Sequence, residues 1–320
     1  MSVPLSLRQL EYYRAVVETG SITRAAERLH VSPGGISLAI TQLEQELQVQ
    51  LMIRTRGKGV VVTDAGRSVY DSARRVARSV EDIREVAGSV RTELRGALRI
   101  GVFNTLSPWL FPQIAEHFAA EHPAVDLQLN EGPSAELQNG ILQGRLDAAL
   151  LYENHLSSEV EFERLTPVRL QLAVCAGHPL ATMDAIPLSY LREESAVLLA
   201  MRPATDHVEE ILRNAGVAPK VRWRSANVET IRSLVARGLG YTIIMGRPHG
   251  DQTYDGRPLV YRPIADDLPP NFIGLATAPG ARRMARLDAL ADYCRHALST
   301  GSLTAPGADG EGQEPLHGRA

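Results

Sequence analysis

The chain has 320 residues, 44% hydrophobic and 22% charged, with a formal net charge of −3, which is enough mass for two or three globular domains. No apolar run approaches the ~18 residues that a membrane span requires. The N-terminus lacks the basic, apolar and small-residue sections of a secretory signal, so a cytoplasmic protein with no membrane partner is expected. Cys175 and Cys294 are too few and too far apart for a disulfide framework or a four-ligand zinc site. Buried apolar thiols are the simpler reading, and neither a metal nor a cofactor is expected.

The net charge hides an asymmetry. Between residues 54 and 78, seven basic residues (Arg54, Arg56, Lys58, Arg67, Arg74, Arg75, Arg78) stand against Asp64 and Asp71. Such a local surplus suits contact with phosphate, although basic runs are also ordinary solvated surface.

Leu7, Leu10, Tyr13 and Val17 recur at helical spacing and predict a first amphipathic helix ending near Thr19-Gly20;. Ser21 is placed to cap a second helix over 22–29, which turns Ile22, Ala25, Ala26 and Leu29 inward;. After the turn His30-Val31-Ser32, Ser32 caps a third helix and Pro33 takes its first position, where a missing N–H costs nothing;. Ile36, Ile40, Leu43 and Leu47 form its inward stripe, which leaves Gly34, Ser37, Leu38, Thr41 and Gln45 outside. Two helices at this spacing fit any small bundle. They also fit a helix-turn-helix, whose recognition helix needs small side chains near its N-terminus to approach base edges.

Residues 51–54 and 60–63 read as two short strands joined by Thr55-Arg56-Gly57-Lys58-Gly59, a basic wing;. The candidate DNA-binding set is therefore Ser32, Pro33, Gly34, Ser37, Leu38 and Thr41 from the helix, with Arg54, Arg56 and Lys58 from the wing. Thr63 caps a long helix from Asp64. Its apolar or small positions Val69, Ala73, Val76, Val80, Ile83, Ala87 and Val90 are separated alternately by four and three residues. That alternation is a coiled-coil seam with a period of about 3.5, so Val69, Ala73, Val76, Val80, Ile83 and Ala87 are the candidate dimerisation residues. A helix folded on its own chain is the alternative.

The stretch from Leu10 to Gly66 resembles the winged helix-turn-helix of LysR-type transcriptional regulators. The likeness is carried by Gly20-Ser21-Ile22-Thr23-Arg24-Ala25-Ala26-Glu27-Arg28-Leu29, Val31-Ser32, Ile36-Ser37, Ile40, Gln42-Leu43-Glu44, Leu47, Leu51, Arg54 and Thr63-Asp64-Ala65-Gly66. The sequence departs from the family at Pro33-Gly34, where Gln-Pro is usual, at Leu38, where a basic residue is frequent, and at Met52, where Phe is preferred. A leucine on the recognition face could contact a thymine methyl group.

From Gly96 short apolar strands alternate with helices: strands near 98–102, 125–129, 148–151, 170–174, 196–199, 221–224, 241–244, 259–261 and 272–276. Helices run through Ile114 and Phe118, from Ser134, and over 282–298. The alternation predicts α/β structure with a mainly parallel sheet. Its order resembles the family's effector domain, an α/β two-lobed, periplasmic-binding-protein-like (type 2) unit crossed near Thr166-Pro167 and Pro269-Pro270. The resulting organisation is an N-terminal all-α winged helix-turn-helix over 1–63 and a linker helix over 64–92. An effector domain follows over 93–299 (lobe I 93–167 and 269–299, lobe II 168–268), then a disordered tail over 300–320.

Two lobes would place the strand-to-helix loops around a cleft: 104–107, 133–134, 201–205, 227–230 and 245–247. Asn104, Thr105, Ser134, Arg202, Thr205, Asn227 and Met245 are the candidate effector-binding residues. Helix N-termini, hydroxyls and Arg202 suit an anionic group of a small organic effector; Ser134 and Thr205 also serve as plain caps.

Enzymatic readings fail on spacing. His117 and His122 are five apart before Pro123, Gly238-Leu239-Gly240 lacks the third glycine of a dinucleotide loop, and Lys58 and Lys220 are the only lysines;. The resemblance implies a non-enzymatic regulator with double-stranded DNA, its own copies (a homodimer or homotetramer), a small-molecule effector and RNA polymerase as partners. Effector binding would change lobe and dimer geometry and so the bend of the DNA.

Overall fold

The computed structural model describes residues 5–55, 59–88, 94–246, 251–280 and 284–299, with backbone alone for 54, 55, 78, 81, 82, 84–88 and 299. By packing, the chain divides into two compact units, residues 1–94 with 139–147, and 95–138 with the remainder.

The first unit opens with α1 (Leu7–Thr19), α2 (Ile22–Leu29) and α3 (Pro33–Leu47). Each start has the predicted side-chain cap or an equivalent: Ser6 and Gln9 close a capping box on α1, Ser21 accepts from the Arg24 N–H, and Ser32 accepts from the Gly35 N–H. Such caps contribute about 1 kcal/mol each. Tyr13, Val16, Ala25, Ile36, Ile40, Leu43 and Leu51 are fully buried together, and form the core of the three helices. Leu7 is a correction to the predicted stripe: it is 56% exposed, because it is the first helical residue and the inward face begins one turn later with Leu10.

Strands β1 (Met52–Thr55) and β2 (Gly59–Val62) pair antiparallel with Arg54 opposite Val60. The hairpin is tied to the helices where the Val60 N–H reaches Gly20 O at 3.2 Å. Gly20 ends α1 at φ 66°, a left-handed conformation that favours glycine, and a Cβ on Gly59 would lie 2.6 Å from the Gly20 oxygen, so the close backbone approach needs glycine at 59;. Thr63 then accepts from the Gly66 N–H at 2.9 Å while donating to Gln50 O. This starts α4 (Asp64–Gly88) against the core. A Cβ on Gly66 would sit 2.0 Å from Leu51 O, which accounts for the glycine in the Thr63-Asp64-Ala65-Gly66 run.

In the second unit, β3 (Gly96–Phe103), α5 (Ser107–Glu121), β4 (Val125–Gly132), α6 (Ser134–Leu142, which straddles the division), β5 (Ala148–Tyr152) and β6 (Glu161–Val168) come first. They are followed by β7 (Leu170–Cys175), β8 (Ser195–Leu199), α7 (Ala204–Asn214), β9 (Lys220–Ser225), α8 (Val228–Ala236), β10 (Thr242–Met245), β11 (Leu259–Pro263), β12 (Asn271–Thr277) and α9 (Ala285–Ser299). Lobe I is a five-stranded sheet in the order β4-β3-β5-β12-β6. In lobe II, β8 and β9 pair in parallel and β10-β7-β11 pair antiparallel. Tyr241 stitches the two lobe II groups together, its N–H reaching Ser195 O and its carbonyl accepting from Val197.

The chain leaves lobe I at the end of β6 and returns between β11 and β12. The sheets correct the expectation of mainly parallel pairing: β12 runs antiparallel to both β5 and β6, because it enters from the other lobe and not by a helical crossover.

Candidate nucleic-acid interface and effector cavity

The α3 cap sets the first surface. With Ile36, Ile40 and Leu43 locked in the core, Ser32, Pro33, Gly34 and Leu38 are exposed and Ser37 and Thr41 half-buried on the opposite face. Leu38 is 61% exposed, an apolar group left in water at the centre of a small-residue face. The Thr41 hydroxyl donates to Ser37 O at 3.0 Å. Of the wing set, Arg54 is placed by its backbone opposite Val60; its side chain, Arg56 and Lys58 lie outside the described residues.

The seam on α4 divides in two, a correction to the six predicted dimerisation residues. Ala73 is buried in the helix-turn-helix core and Val69 packs against the same cluster, since the first turns of α4 lie on α1. Farther along, Val76 is 37% and Ile83 67% exposed, with Val80 half-buried. The side chain of Ala87 and all of Val90 lie outside the described residues.

Between the lobes of the second unit lies a cavity of about 900 Å³. Of the predicted effector residues, Asn104, Thr105, Thr205, Asn227 and Met245 line it. Ser134 and Arg202 do not, which corrects the predicted set. Ser134 is fully buried, donating to His155 O at 3.1 Å and accepting from Gln138 at 2.9 Å. The Arg202 side chain is 86% exposed and pairs with Asp206 at 3.6 Å. The 245–247 loop is described only to Gly246, and Arg247 lies outside the described residues.

The cavity has further walls that the strand-end rule missed. His155 follows β5, and Phe103, Tyr152 and His155 meet edge to face with ring centroids 5.0 to 5.8 Å apart. Burial pulls the His155 pKa down to about 4, with His207 acting in the same direction, and pushes the Tyr152 phenol up to about 12 against the opposing bond from Thr105;. His207 is lowered by burial, against the pull of Glu210.

Arg232, on α8, is 7% exposed and bonds Tyr261 Oη at 2.8 Å, Gln252 O at 2.7 Å and the Glu229 carboxylate. Burial works against its charge, but Tyr261 and Glu229 outweigh it and raise its pKa. The missed residues have a sequence signal. Tyr152 and His155 follow a run of buried apolar residues, as Asn104 does, while His207 and Arg232 lie about one turn inside helices whose first residues were predicted.

A winged helix-turn-helix whose third helix turns Ser32, Pro33, Gly34 and Leu38 outward, joined in one chain to a lobed unit with a ligand-sized cavity, defines a DNA-binding regulator governed by a small molecule. The description of the bacterial regulatory helix-turn-helix proteins of the lysR family matches residues 7–67, and that of the LysR substrate binding domain matches residues 91–299. The chain belongs to the LysR family of transcriptional regulators.

Among its relatives, the DNA-binding transcriptional dual regulator OxyR of Escherichia coli K12 is 32% identical over 297 residues, covering 91% of this chain and 95% of that one. The RuBisCO operon transcriptional regulator of Allochromatium vinosum is 32% identical over 241 residues, 75% of this chain and 79% of that one. Among solved structures, a full-length OxyR variant from Pseudomonas aeruginosa superposes with a TM-score of 0.74 at 26% identity, covering 91% of this chain and 98% of that one. The LysR-family regulator HinK from Pseudomonas aeruginosa gives 0.61 at 29%, covering 92% and 99%. The relatives are regulators, not enzymes. No helix among the described residues is long and apolar enough to cross a membrane.

Proposed function

We propose that this chain is a cytoplasmic homotetrameric regulator that reads its operator with the outer face of α3, pairs its arms through Val76, Val80 and Ile83, and responds to a molecule held between the two lobes. RNA polymerase is the further partner of the DNA-bound assembly. The observation that carries this reading is the division of α3, with Ile36, Ile40 and Leu43 buried in the core and, on the opposite face, Leu38 exposed and Ser37 and Thr41 half-buried.

Several relatives are named as hydrogen peroxide-inducible genes activators, and a thiol switch is therefore the second reading to weigh. Cys175 is half-buried; for Cys294 and for the cavity, two features favour a bound effector instead. Cys294 is buried and its thiol is pushed up to about 12 by that burial, which suppresses the thiolate that peroxide would attack. No cysteine lines the cavity among the described residues.

Operator titrations at two salt concentrations test the DNA reading. Arg54→Ala should weaken binding to all duplexes alike and reduce the salt slope by about one. Ser37→Ala and Thr41→Ala should alter the ranking of operator variants, with changes on the order of 1–3 kcal/mol at single base pairs. Uniform weakening by Ser37→Ala, or a changed ranking with Arg54→Ala, would reverse the assigned roles.

A further inference from the structure

The cavity's walls direct most of their hydrogen-bond donors back into the protein. The Glu229 and Thr230 N–H groups at the start of α8 are both taken by Asn227 Oδ1, at 2.8 and 3.3 Å. On α7 the Thr205 N–H goes to Met201 O at 2.9 Å. The second residue of α5 is Pro108, which has no N–H, and the third, Trp109, donates to Leu106 O. Arg232, the one guanidinium or ammonium group lining the cavity among the described residues, is committed to Tyr261, Glu229 and Gln252. The hydroxyls of Thr105 and Thr205 donate to Tyr152 and to the carbonyls of Leu199 and Met201.

What remains is one neutral amide donor, the buried Asn154 Nδ2, together with accepting capacity and negative charge. Hydroxyl lone pairs stay open, and burial keeps His155 and His207 in their neutral forms near pH 7. Of the two carboxylates on the wall, Glu229 is matched by Arg232, whereas Glu131 has the Ser107 hydroxyl as its partner. The apolar part of the wall mixes aliphatic side chains such as Leu198, Ile231 and Ile243 with aromatic ones, Trp109 and the Phe103, Tyr152 and His155 cluster. Among the described residues, a carboxylate entering here would face the charge of Glu131 with Arg232 already paired, while a protonated nitrogen would find carboxylate, lone pairs and ring faces;.

We infer that the cavity takes a ring-bearing amine, its protonated nitrogen toward Glu131 and its ring against the aromatic cluster, and that it rejects carboxylates. This replaces the anionic effector expected from the loops, because Ser134 and Arg202, two of the groups that expectation needed, are not in the cavity. The inference rests on reading the cavity as the effector site and narrows that reading to a chemical class.

The chain has two tryptophans, so full-length protein carrying Trp223→Phe reports on Trp109 alone by fluorescence. Phenethylamine should quench it saturably, with a Kd about tenfold or more below that of 2-phenylethanol, an uncharged near-isostere. Phenylacetate should give no saturation in the same range. Glu131→Gln keeps an acceptor for Ser107 and should bring the amine's Kd up to that of the alcohol while leaving the alcohol's in place. Tightest binding by phenylacetate would overturn the amine assignment and leave the cavity as an effector site. A preference for the amine that survives Glu131→Gln would overturn the role of Glu131 and the proposal with it. Absence of saturable quenching by all three compounds would also overturn the amine class, and the DNA titrations above would still judge the regulator reading separately.

Discussion

At the scale of single residues, His155 shows how the cavity floor is held. Its carbonyl anchors Ser134 and Gln138, its ring meets Phe103 and Tyr152 edge to face, and its Nδ1 is buried without a partner among the described residues. The folded protein therefore favours the neutral ring, with a pKa near 4 against an ordinary 6.5. Between those values the unfolded chain binds the proton and the folded chain does not. The sign follows: stability rises with pH through that window, and falls as acid is added from about 6.5 toward 4. At 1.36 kcal/mol per pKa unit the full effect is about 3 kcal/mol. His155→Phe keeps an edge-to-face ring and removes the titration, so denaturant midpoints of the effector unit measured from pH 7 to pH 4 should decline less steeply in the variant. Equal slopes would show that other groups carry the acid sensitivity.

At the scale of elements, α4 is where sequence and structure differ most instructively. Its alternation of four and three is real, yet a heptad pattern states only that a face is apolar, not which surface it meets. The first two positions, Val69 and Ala73, are used inside the chain, and the exposed ones, Val76 and Ile83, begin where α1 no longer covers the helix. The two halves should respond differently to the same insult. Ile83→Asp should leave thermal unfolding of the helix-turn-helix nearly unchanged while shifting sedimentation from paired chains to single ones, because it loads a charge onto a seam. Ala73→Asp should lower the unfolding midpoint, by an amount corresponding to several kcal/mol for an unpaired buried charge. Loss of pairing with Ala73→Asp at full helix-turn-helix stability would place the interface on the wrong half.

The same limit explains the other differences. Caps at Ser21 and Ser32 with Pro33 are local chemistry, so α2 and α3 were legible to the residue. Strand β6 was not, because Glu161–Val168 mixes polar positions with Pro167 and becomes a strand only as the edge partner of β12. Ser134 read as a cleft hydroxyl from its place before a helix, but the burial that turns it toward His155 is set by residues distant in sequence.

At the scale of the whole molecule, a regulator works only if the cavity and the DNA surface share an equilibrium. A ligand shifts that equilibrium by its differential affinity for the two arrangements and by nothing else. If phenethylamine occupies the cavity and saturating amine changes the operator Kd by some factor, saturating operator must change the amine Kd by the same factor. Factors of roughly 5 to 150 are usual for such coupling.

Ile83→Asp sharpens the test. Amine affinity in the absence of DNA should persist in that variant, since the cavity belongs to a separate compact unit. The factor should nonetheless fall toward one, because single arms have no paired geometry for the effector to bias. Unequal factors in the wild-type protein would mean that the amine and the operator do not act on one assembly. A factor that survives the separation of the chains would move the switch out of the dimer and into the single polypeptide.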